Sequence, residues 1–208
     1  MDIDSFQVAE FATAIESYLY ARDHMSGKPR FEDREHLLNY ALDQISIEGM
    51  ILEFGVFSGH TINIIAKKLA HQEIYGFDAF KGLPEDWTGK VKAGHFARND
   101  IPVVRENVKL IIDWFDRSLP AFLDQHSQPV SLLHVDCDIY TSTQTVLTQL
   151  RSKIVKGTII VFDEYFNYPG WRQHEFKAFQ EFIGKSGKSY EYLGFVPSHQ
   201  QVCVRIDG

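Results

Sequence analysis

The chain has 208 residues, of which 44% are apolar, and this is enough to bury the core of one globular domain. Asp and Glu outnumber Lys and Arg by 28 to 21, and the formal net charge is −7. Basic and aromatic residues do not cluster as they do in proteins that follow a phosphate backbone, so nucleic acid is excluded as the expected partner. No apolar run approaches the roughly 20 residues that span a bilayer, and residues 1–4 are acidic where a secretion signal is basic. We therefore expect a cytoplasmic protein without membrane contact.

The N-terminal part of the sequence has helical periodicity. Phe6, Phe11, Ile15 and Leu19 recur at helical spacing, and a second apolar series runs through residues 37–45. We predict that residues 1–48 form a helical extension that packs on the core. These amphipathic helices also offer a surface for self-association, so a homo-oligomer is an expectation.

From residue 50 onward, short apolar strands alternate with amphipathic helices. Predicted strands lie near 50–54, 73–77, 108–112, 131–135 and 157–162, and predicted helices lie near 59–70, 117–126, 141–152 and 171–184. This alternation predicts a parallel sheet that is covered by helices on both faces.

The C-terminal segment breaks this alternation. Residues 190–196 and 201–206 are strand-like, and the four residues between them leave no room for a crossover helix. They should therefore pair antiparallel. The predicted fold is α/β, a Rossmann-like seven-stranded and mostly parallel sheet with a C-terminal antiparallel hairpin. We predict that residues 49–208 form the main domain and that the N-terminal extension belongs to the same structural unit.

A glycine-containing turn follows the first predicted strand, in the segment EFGVFSGHT at 53–61. Gly55 and Gly59 stand where a strand-to-helix turn must be tight and a ligand must come close to the backbone. Their spacing is G-x-x-x-G rather than G-x-G-x-x-G, and Glu53 precedes them. This carboxylate would repel a dinucleotide pyrophosphate, whereas it would attract the ammonium group of S-adenosylmethionine.

Asp78 ends the second predicted strand, in the segment IYGFD at 74–78. A carboxylate at the tip of that strand is placed to accept hydrogen bonds from both hydroxyl groups of a ribose. The alternative interpretation is that Gly55 and Gly59 only make a turn and that Asp78 caps the next segment. The combination of the turn with the acid favours a nucleoside site.

Four carboxylates follow two other predicted strands. Asp136 and Asp138 come after the fourth strand, and Asp163 and Glu164 come after the fifth. Ligands of open α/β sheets bind at the carboxyl ends of the strands. Carboxylates gathered there would raise one another's pKa unless a cation lies among them, and Mg²⁺ prefers such oxygen ligands. A bound Mg²⁺ would lower the pKa of a substrate hydroxyl and so activate it.

A metal-free interpretation of these acids stays open. In it, Asp136 orients the cofactor or acts as general base, Asp138 caps a helix that begins near residue 141, and Glu164 is solvated. His60 and His134 are then further candidates for the base.

The segment 53–61 resembles the first cofactor motif of class I S-adenosylmethionine-dependent methyltransferases. The segment DAFKGLPE at 78–85 resembles the macrocin O-methyltransferase family, and the similarity extends over residues from about 50 to 183. The resemblance implies that the glycines line the methionyl part of the cofactor, that Thr61 binds its carboxylate, that Asp78 binds its ribose and that Trp114 or Phe115 contacts its adenine.

The full set of site residues follows from the motifs and this resemblance. The cofactor would be bound by Glu53, Gly55, Phe57, Gly59, Thr61, Asp78, Trp114, Phe115 and Asp136. The metal ligands would be Asp136, Asp163 and Glu164, and Asp136 is also the predicted catalytic residue.

A long connection, 79–107, lies between the second and third predicted strands. Connections of this length often serve as lids or binding loops. Aromatic and polar side chains on it and after the fifth strand would either close over a substrate or only cap the core: Trp87, His95, Phe96, Arg98, Tyr165, Phe166, Tyr168 and Trp171.

The sequence as a whole predicts an S-adenosylmethionine-dependent methyltransferase that acts on a hydroxyl of a small molecule, a sugar or another natural product, with assistance from Mg²⁺. One alternative is a nucleoside-binding module without catalytic activity. A second is a nicotinamide-dependent oxidoreductase, which Glu53 and the terminal antiparallel hairpin disfavour.

Overall fold

The computed structural model describes residues 4–88 and 91–208. The first three residues, at the start of the predicted extension, and Gly89 and Lys90, in the predicted lid, lie outside the described residues.

The described residues form six α-helices and seven strands. The helices are α1 Ser5–His24, α2 Arg34–Asp43, α3 His60–Lys68, α4 Phe115–Leu123, α5 Tyr140–Gln149 and α6 Glu175–Ser186. The strands are β1 Met50–Phe54, β2 Ile74–Phe77, β3 Val108–Ile111, β4 Val130–Val135, β5 Ile159–Phe162, β6 Tyr190–Phe195 and β7 Val202–Ile206.

All seven strands belong to one sheet, in the order β3-β2-β1-β4-β5-β7-β6. The first five strands along the chain pair in parallel, whereas β7 pairs antiparallel with both β5 and β6. The predicted Rossmann-like sheet with its C-terminal antiparallel hairpin is therefore confirmed. Because β1 lies beside β2 and β4, and β5 lies next to β4, the carboxyl ends of these four strands meet at one edge.

Helices cover both faces of the sheet, because each parallel connection must return over one face. The apolar sides of α2 and α3 pack on one face, for example through Leu38 and Ile62. Helices α4, α5 and α6 pack on the other face, for example through Phe122, Leu147 and Phe179.

One predicted helix is divided in the structure. The sequence predicts a continuous helix over 171–184, whereas the structure has a short 3₁₀ turn at Trp171–Gln173 and begins α6 at Glu175. His174 separates them with φ −113° and ψ −124°, which is incompatible with a continuous helix. The break directs Glu175 into the interior.

The N-terminal helix α1 packs through a different face from the one that its apolar periodicity suggests. Thr13, Ser17 and Tyr20 are buried, whereas Phe11 is 71% exposed and Ile15 is 62% exposed. The apolar spacing thus predicted the helix correctly but did not mark its packing face. The exposed apolar side is compatible with the expected self-association, which stays a prediction. In the part of the chain that the structure describes, no helix is both long and apolar enough to cross a membrane.

Candidate active site

A cavity of about 670 Å³ opens at the carboxyl ends of β1, β2, β4 and β5. Its walls come from the loops that follow these strands and from the first turns of α3, α4 and α5. Seven of the predicted cofactor residues line it: Gly55, Phe57, Thr61, Asp78, Trp114, Phe115 and Asp136. Glu53 and Gly59 lie beside the cavity rather than on its wall.

The loop after β1 touches the backbone after β4 at Gly55. This residue has φ +92°, and a Cβ atom there would stand 1.6 Å from the carbonyl oxygen of Asp136. A residue with a side chain would therefore meet both backbone strain and a direct clash. The contact brings the glycine loop and the first of the acidic residues together.

Gly59 is the N-cap residue of α3; it has a left-handed conformation, with φ +79°, and no side chain caps the helix. The first backbone N–H groups of a helix without a cap need acceptors from elsewhere. Ser58, His60 and Thr61 line the cavity at this point. The positive end of α3 is therefore available to an anionic group in the cavity.

Asp78 holds the glycine loop through its carboxylate. Oδ2 accepts hydrogen bonds from the backbone N–H groups of Val56 at 2.9 Å and of Phe57 at 2.8 Å. Oδ1 accepts from the N–H of Phe80 at 2.7 Å. Asp78 thus closes a local turn and also faces the cavity, and its predicted contact with a ribose stays a prediction.

Glu53 is completely buried, and its carboxylate is directed at the neighbouring strand β4. Its Oε2 accepts a hydrogen bond from Nδ1 of His134 at 2.8 Å, and His134 is buried as well. Among the described residues, Oε1 of Glu53 has no hydrogen-bond partner. The Glu53 carboxylate therefore lies behind the cavity wall, and its predicted direct role in cofactor binding stays a prediction.

Trp114 and Phe115 lie where α4 begins, and both are half-buried on the cavity wall. The ring of Phe115 packs edge-on against Phe54 of β1, with the ring centroids 5.2 Å apart. These rings provide an apolar surface of the kind that accepts a flat heterocycle.

The acids after β4 and β5 form two overlapping groups that share Asp136. In one group, ligand atoms of Asp136, Asp138 and Glu164 lie within 4.8 Å of one another. In the other group, the same limit holds for His134, Asp136 and Asp163. The three predicted metal ligands are thus neighbours in the fold, although Asp163 and Glu164 belong to different groups.

The electrostatics of these acids suit a cation. Burial, with the nearby charge of Asp163 as the next cause, raises the pKa of both Asp136 and Glu164 well above the usual range. Burial and the charges of Asp163 and Asp78 raise the pKa of Asp138 to about 7. Oε2 of Glu164 is buried without a hydrogen-bond partner among the described residues. A hard cation such as Mg²⁺ fits this set of oxygen donors, because it would neutralise their repulsion and give Glu164 Oε2 a partner.

Asp138 does not have the capping role that the metal-free interpretation gives it, so that prediction is wrong. The residue at the N-cap of α5 is Ile139, and no side chain caps the helix. Asp138 instead has φ +61°, a left-handed conformation that Asp tolerates better than most residues. An Asp at this position is compatible either with capping α5 or with the left-handed conformation. With the left-handed conformation, Asp138 lies on the cavity wall.

Arg34 is a cavity residue that the sequence did not mark. It is the first residue of α2, and its Nη1 lies 3.5 Å from Oδ2 of Asp163. This brings a positive charge from the N-terminal extension to the edge of the acidic groups. His60, a candidate base, also lines the cavity, and its Nε2 lies 2.8 Å from Oε1 of Glu35.

The candidate lid residues separate into two groups. Trp87 and Phe96 line the cavity, and Phe96 packs edge-on against Phe57 with the centroids 5.6 Å apart. The aromatic residues that follow β5 do not line it and are buried in the core: Tyr165, Phe166, Tyr168 and Trp171. His95 and Arg98 also lie off the cavity wall, and the Arg98 guanidinium lies 5.3 Å from the centroid of the Phe57 ring.

Comparison with known proteins finds a matching family and similar folds. A family model of a methyltransferase domain matches residues 52–165. Demethyldecarbamoylnovobiocin O-methyltransferase from Streptomyces niveus is 25% identical over 149 residues, which are 60% of this chain and 55% of that protein. The chain thus spans about half the length of this relative.

Two solved structures share the fold over most of the chain. CalS11, a calicheamicin methyltransferase, superposes with a TM-score of 0.67 at 21% identity, over 99% of this chain and 94% of its own. The O-methyltransferase NovP superposes with a TM-score of 0.63 at 20% identity, over 84% of this chain and 80% of its own. The family match covers more than half of the sequence and includes the carboxyl ends of β1, β2, β4 and β5, which form the cavity. The predicted relationship to class I methyltransferases is confirmed, and the chain belongs to the methyltransferase domain family.

Proposed function

We propose that this protein is an S-adenosylmethionine-dependent O-methyltransferase that methylates a hydroxyl group of a small molecule with the help of Mg²⁺. The observation that carries the proposal is that the glycine loop and the acidic residues share one cavity and touch at Gly55 and Asp136. The family membership supports it, as do the relative from Streptomyces niveus, named as an O-methyltransferase, and the shared fold of NovP.

The proposed cofactor site extends from α3 to α4. The uncapped start of α3, with Thr61, would receive the carboxylate of the methionyl group. Asp78 would accept hydrogen bonds from the ribose, and Trp114 and Phe115 would enclose the adenine. When bound there, S-adenosylmethionine supplies a methyl group on a positively charged sulfur. The surrounding carboxylates favour that charge.

The proposed metal site consists of Asp136, Asp163 and Glu164. A Mg²⁺ ion held there would supply Lewis-acid stabilisation of a deprotonated hydroxyl. Asp136 is the predicted catalytic residue, and Asp138 stands beside it on the same wall. Without a bound cation the pKa of Asp138 is about 7, which suits a group that accepts the hydroxyl proton near neutral pH, so Asp138 is a second candidate for the base.

The remaining cavity wall would bind the acceptor molecule and exclude water. Trp87, Phe96 and Phe57 line the cavity together with the acids after β4 and β5. An acceptor that combines an apolar body with a free hydroxyl group matches this surface. Sugars attached to natural products and phenols have this composition. The protein's contribution to rate would be alignment of the hydroxyl and removal of solvent.

Methyl transfer from isotopically labelled S-adenosylmethionine to a panel of hydroxylated sugars and phenols, with and without Mg²⁺, tests the proposal. We expect product that depends on the acceptor and increases with Mg²⁺. Calorimetric titration with S-adenosylhomocysteine and with NAD in parallel identifies the nucleoside that binds. Tight S-adenosylhomocysteine binding without transfer to any acceptor would favour a non-catalytic module, and binding of NAD alone would favour an oxidoreductase.

A further inference from the structure

Glu175 is a buried acid outside the predicted site. It is the first residue of α6, and its exposed fraction is 0%. Its Oε2 accepts a hydrogen bond from the backbone N–H of Glu164 at 3.1 Å. Its Oε1 accepts a longer one from the backbone N–H of Cys137 at 3.4 Å. One carboxylate therefore bridges the loop after β4 and the loop after β5.

The two bridged amides belong to the peptides that carry the candidate site residues. Cys137 lies between Asp136 and Asp138, and Glu164 directly follows Asp163. A shift of either peptide would move the acidic side chains attached to it. The Glu175 carboxyl group thus joins the two loops without itself lining the cavity.

Each loop is also tied on its strand side. The N–H of Asp136 donates to the carbonyl oxygen of Phe54 at 2.9 Å, and that of Asp163 donates to the carbonyl oxygen of Val135 at 2.9 Å. These bonds continue the sheet for one residue and fix the first acid of each loop. The following peptide in each loop is the one that Glu175 holds.

We infer that Glu175 is a positioning residue that fixes the distance between the acids after β4 and those after β5, and so preforms the cation site. This inference rests on the proposed function, because it takes the acids as metal ligands. Like charges on the two loops repel one another, so the loops need an opposing tie when no cation is present. Backbone N–H groups from both loops that donate to one shared carboxyl group provide such a tie.

The substitution Glu175→Gln tests this geometry without leaving a hole in the core. The amide nitrogen that replaces one carboxylate oxygen cannot accept a hydrogen bond from a backbone N–H, so one of the two ties is lost. Glu181→Gln is the matched control, because Glu181 lies on the same helix and pairs instead with Lys185 and Tyr140. Glu175→Asp is a second variant, which keeps the carboxyl group but is too short to reach both amides.

The first measurement is amide hydrogen exchange of the full chain, which requires neither cofactor nor activity. In Glu175→Gln we expect exchange at Cys137, Glu164 or both to be about tenfold faster or more, the size expected for the loss of one hydrogen bond. Glu181→Gln should leave both amides unchanged. If Glu175→Gln does not fold, Glu175→Asp should show the faster exchange. Unchanged exchange at both amides in the folded variant would overturn the inference.

The second measurement separates a positioning role from a general structural role. Calorimetry with Mg²⁺ alone should show an affinity about tenfold or more weaker in Glu175→Gln, while the affinity for S-adenosylhomocysteine changes little. A parallel loss of both affinities would contradict the positioning role. If the wild-type chain binds neither Mg²⁺ nor S-adenosylhomocysteine, the proposed function fails, and the exchange data still decide whether Glu175 ties the loops.

Discussion

The carbonyl oxygen of Asp136 occupies the space that a side chain on Gly55 would need, since a Cβ atom at residue 55 would stand 1.6 Å away from it. This contact joins the tip of β1 to the tip of β4. The glycine loop and the acidic residues are therefore in direct backbone contact, and the proposed transfer reaction requires them to be close together.

Substitution of Gly55 by alanine should disrupt both parts of the site. The clash and the positive φ of +92° both oppose a side chain, so we expect a loss of about 2–4 kcal/mol in the free energy of unfolding. Urea denaturation measures that loss, and calorimetry with S-adenosylhomocysteine measures the accompanying loss of binding.

Gly27→Ala is the matched control for that substitution. Gly27 also has a positive φ, +76°, but a Cβ atom there would have nothing within 4 Å. It should cost only the backbone strain, about 1 kcal/mol, and should leave cofactor binding intact. Equal effects of the two variants would show that the contact with Asp136 does not matter.

The stability of the metal-free protein should fall as the pH rises from about 4 to about 7. The folded-state pKa of Asp138 is raised from 3.8 to about 7, so the folded protein binds more protons than the unfolded chain in this window. The slope of stability against pH is therefore negative there, and the stability lost is of the order of a few kcal/mol. Thermal unfolding at a series of pH values measures it.

Asp138→Asn should make this pH dependence shallower and stabilise the metal-free protein at pH 8, while the raised pKa values of Asp136 and Glu164 keep part of the slope. The exposed acid Asp124 provides the control, since Asp124→Asn should leave the slope as in the wild type.

Mg²⁺ should raise the unfolding temperature of the wild type more at pH 8 than at pH 5, because protonated carboxylates do not bind it. A metal-free stability that rises from pH 5 to pH 8 would contradict this account of the acids.

Asp163→Ala should abolish methyl transfer with little loss of cofactor affinity. The carboxylate of Asp163 belongs to one of the two acidic groups and faces Arg34 at 3.5 Å, whereas the predicted cofactor contacts other than Asp136 lie within β1 or follow β1, β2 and β3. Labelled methyl transfer and calorimetry with S-adenosylhomocysteine measure the two effects. A variant that is active and indifferent to Mg²⁺ would rule out the metal-assisted mechanism.

Tyr20 should contribute to the packing of the N-terminal helix on the main domain. Its hydroxyl lies 2.6 Å from that of Tyr192 in β6, and both rings are buried. Tyr20→Phe should therefore cost about 1 kcal/mol in the free energy of unfolding. Tyr18→Phe should cost almost nothing, because Tyr18 is 66% exposed on the same helix.

Because we expect residues 1–48 and 49–208 to form one unit, urea should unfold both variants in a single transition. Two separate transitions would contradict the expectation that these two segments form one unit.

The sequence predicted the sheet well because its signals are local. Apolar runs mark the strands, and the short link before β7 permits only an antiparallel pair. The strand ends then bring Asp136 and Asp163 to the same edge, because carboxyl ends of adjacent parallel strands lie side by side.

Other features depend on contacts between distant segments and had no local signal. The exposed face of α1 carries Phe11 and Ile15, and helical spacing alone does not tell which face a helix buries. Glu175 acts on residues 11 and 38 positions away, and only the break before α6 directs it inward. Arg34 reaches Asp163 from the N-terminal extension, so only the packed structure brings these two residues together.

A crystal structure of the protein grown with S-adenosylhomocysteine and Mg²⁺ tests the central claim most directly. We expect the nucleoside to lie across the loops after β1 and β2, and the ion to lie beside it with Asp136, Asp163 and Glu164 as ligands. A structure in which the nucleoside stays out of this cavity, or in which the three carboxylates bind no cation while the nucleoside is present, would contradict it.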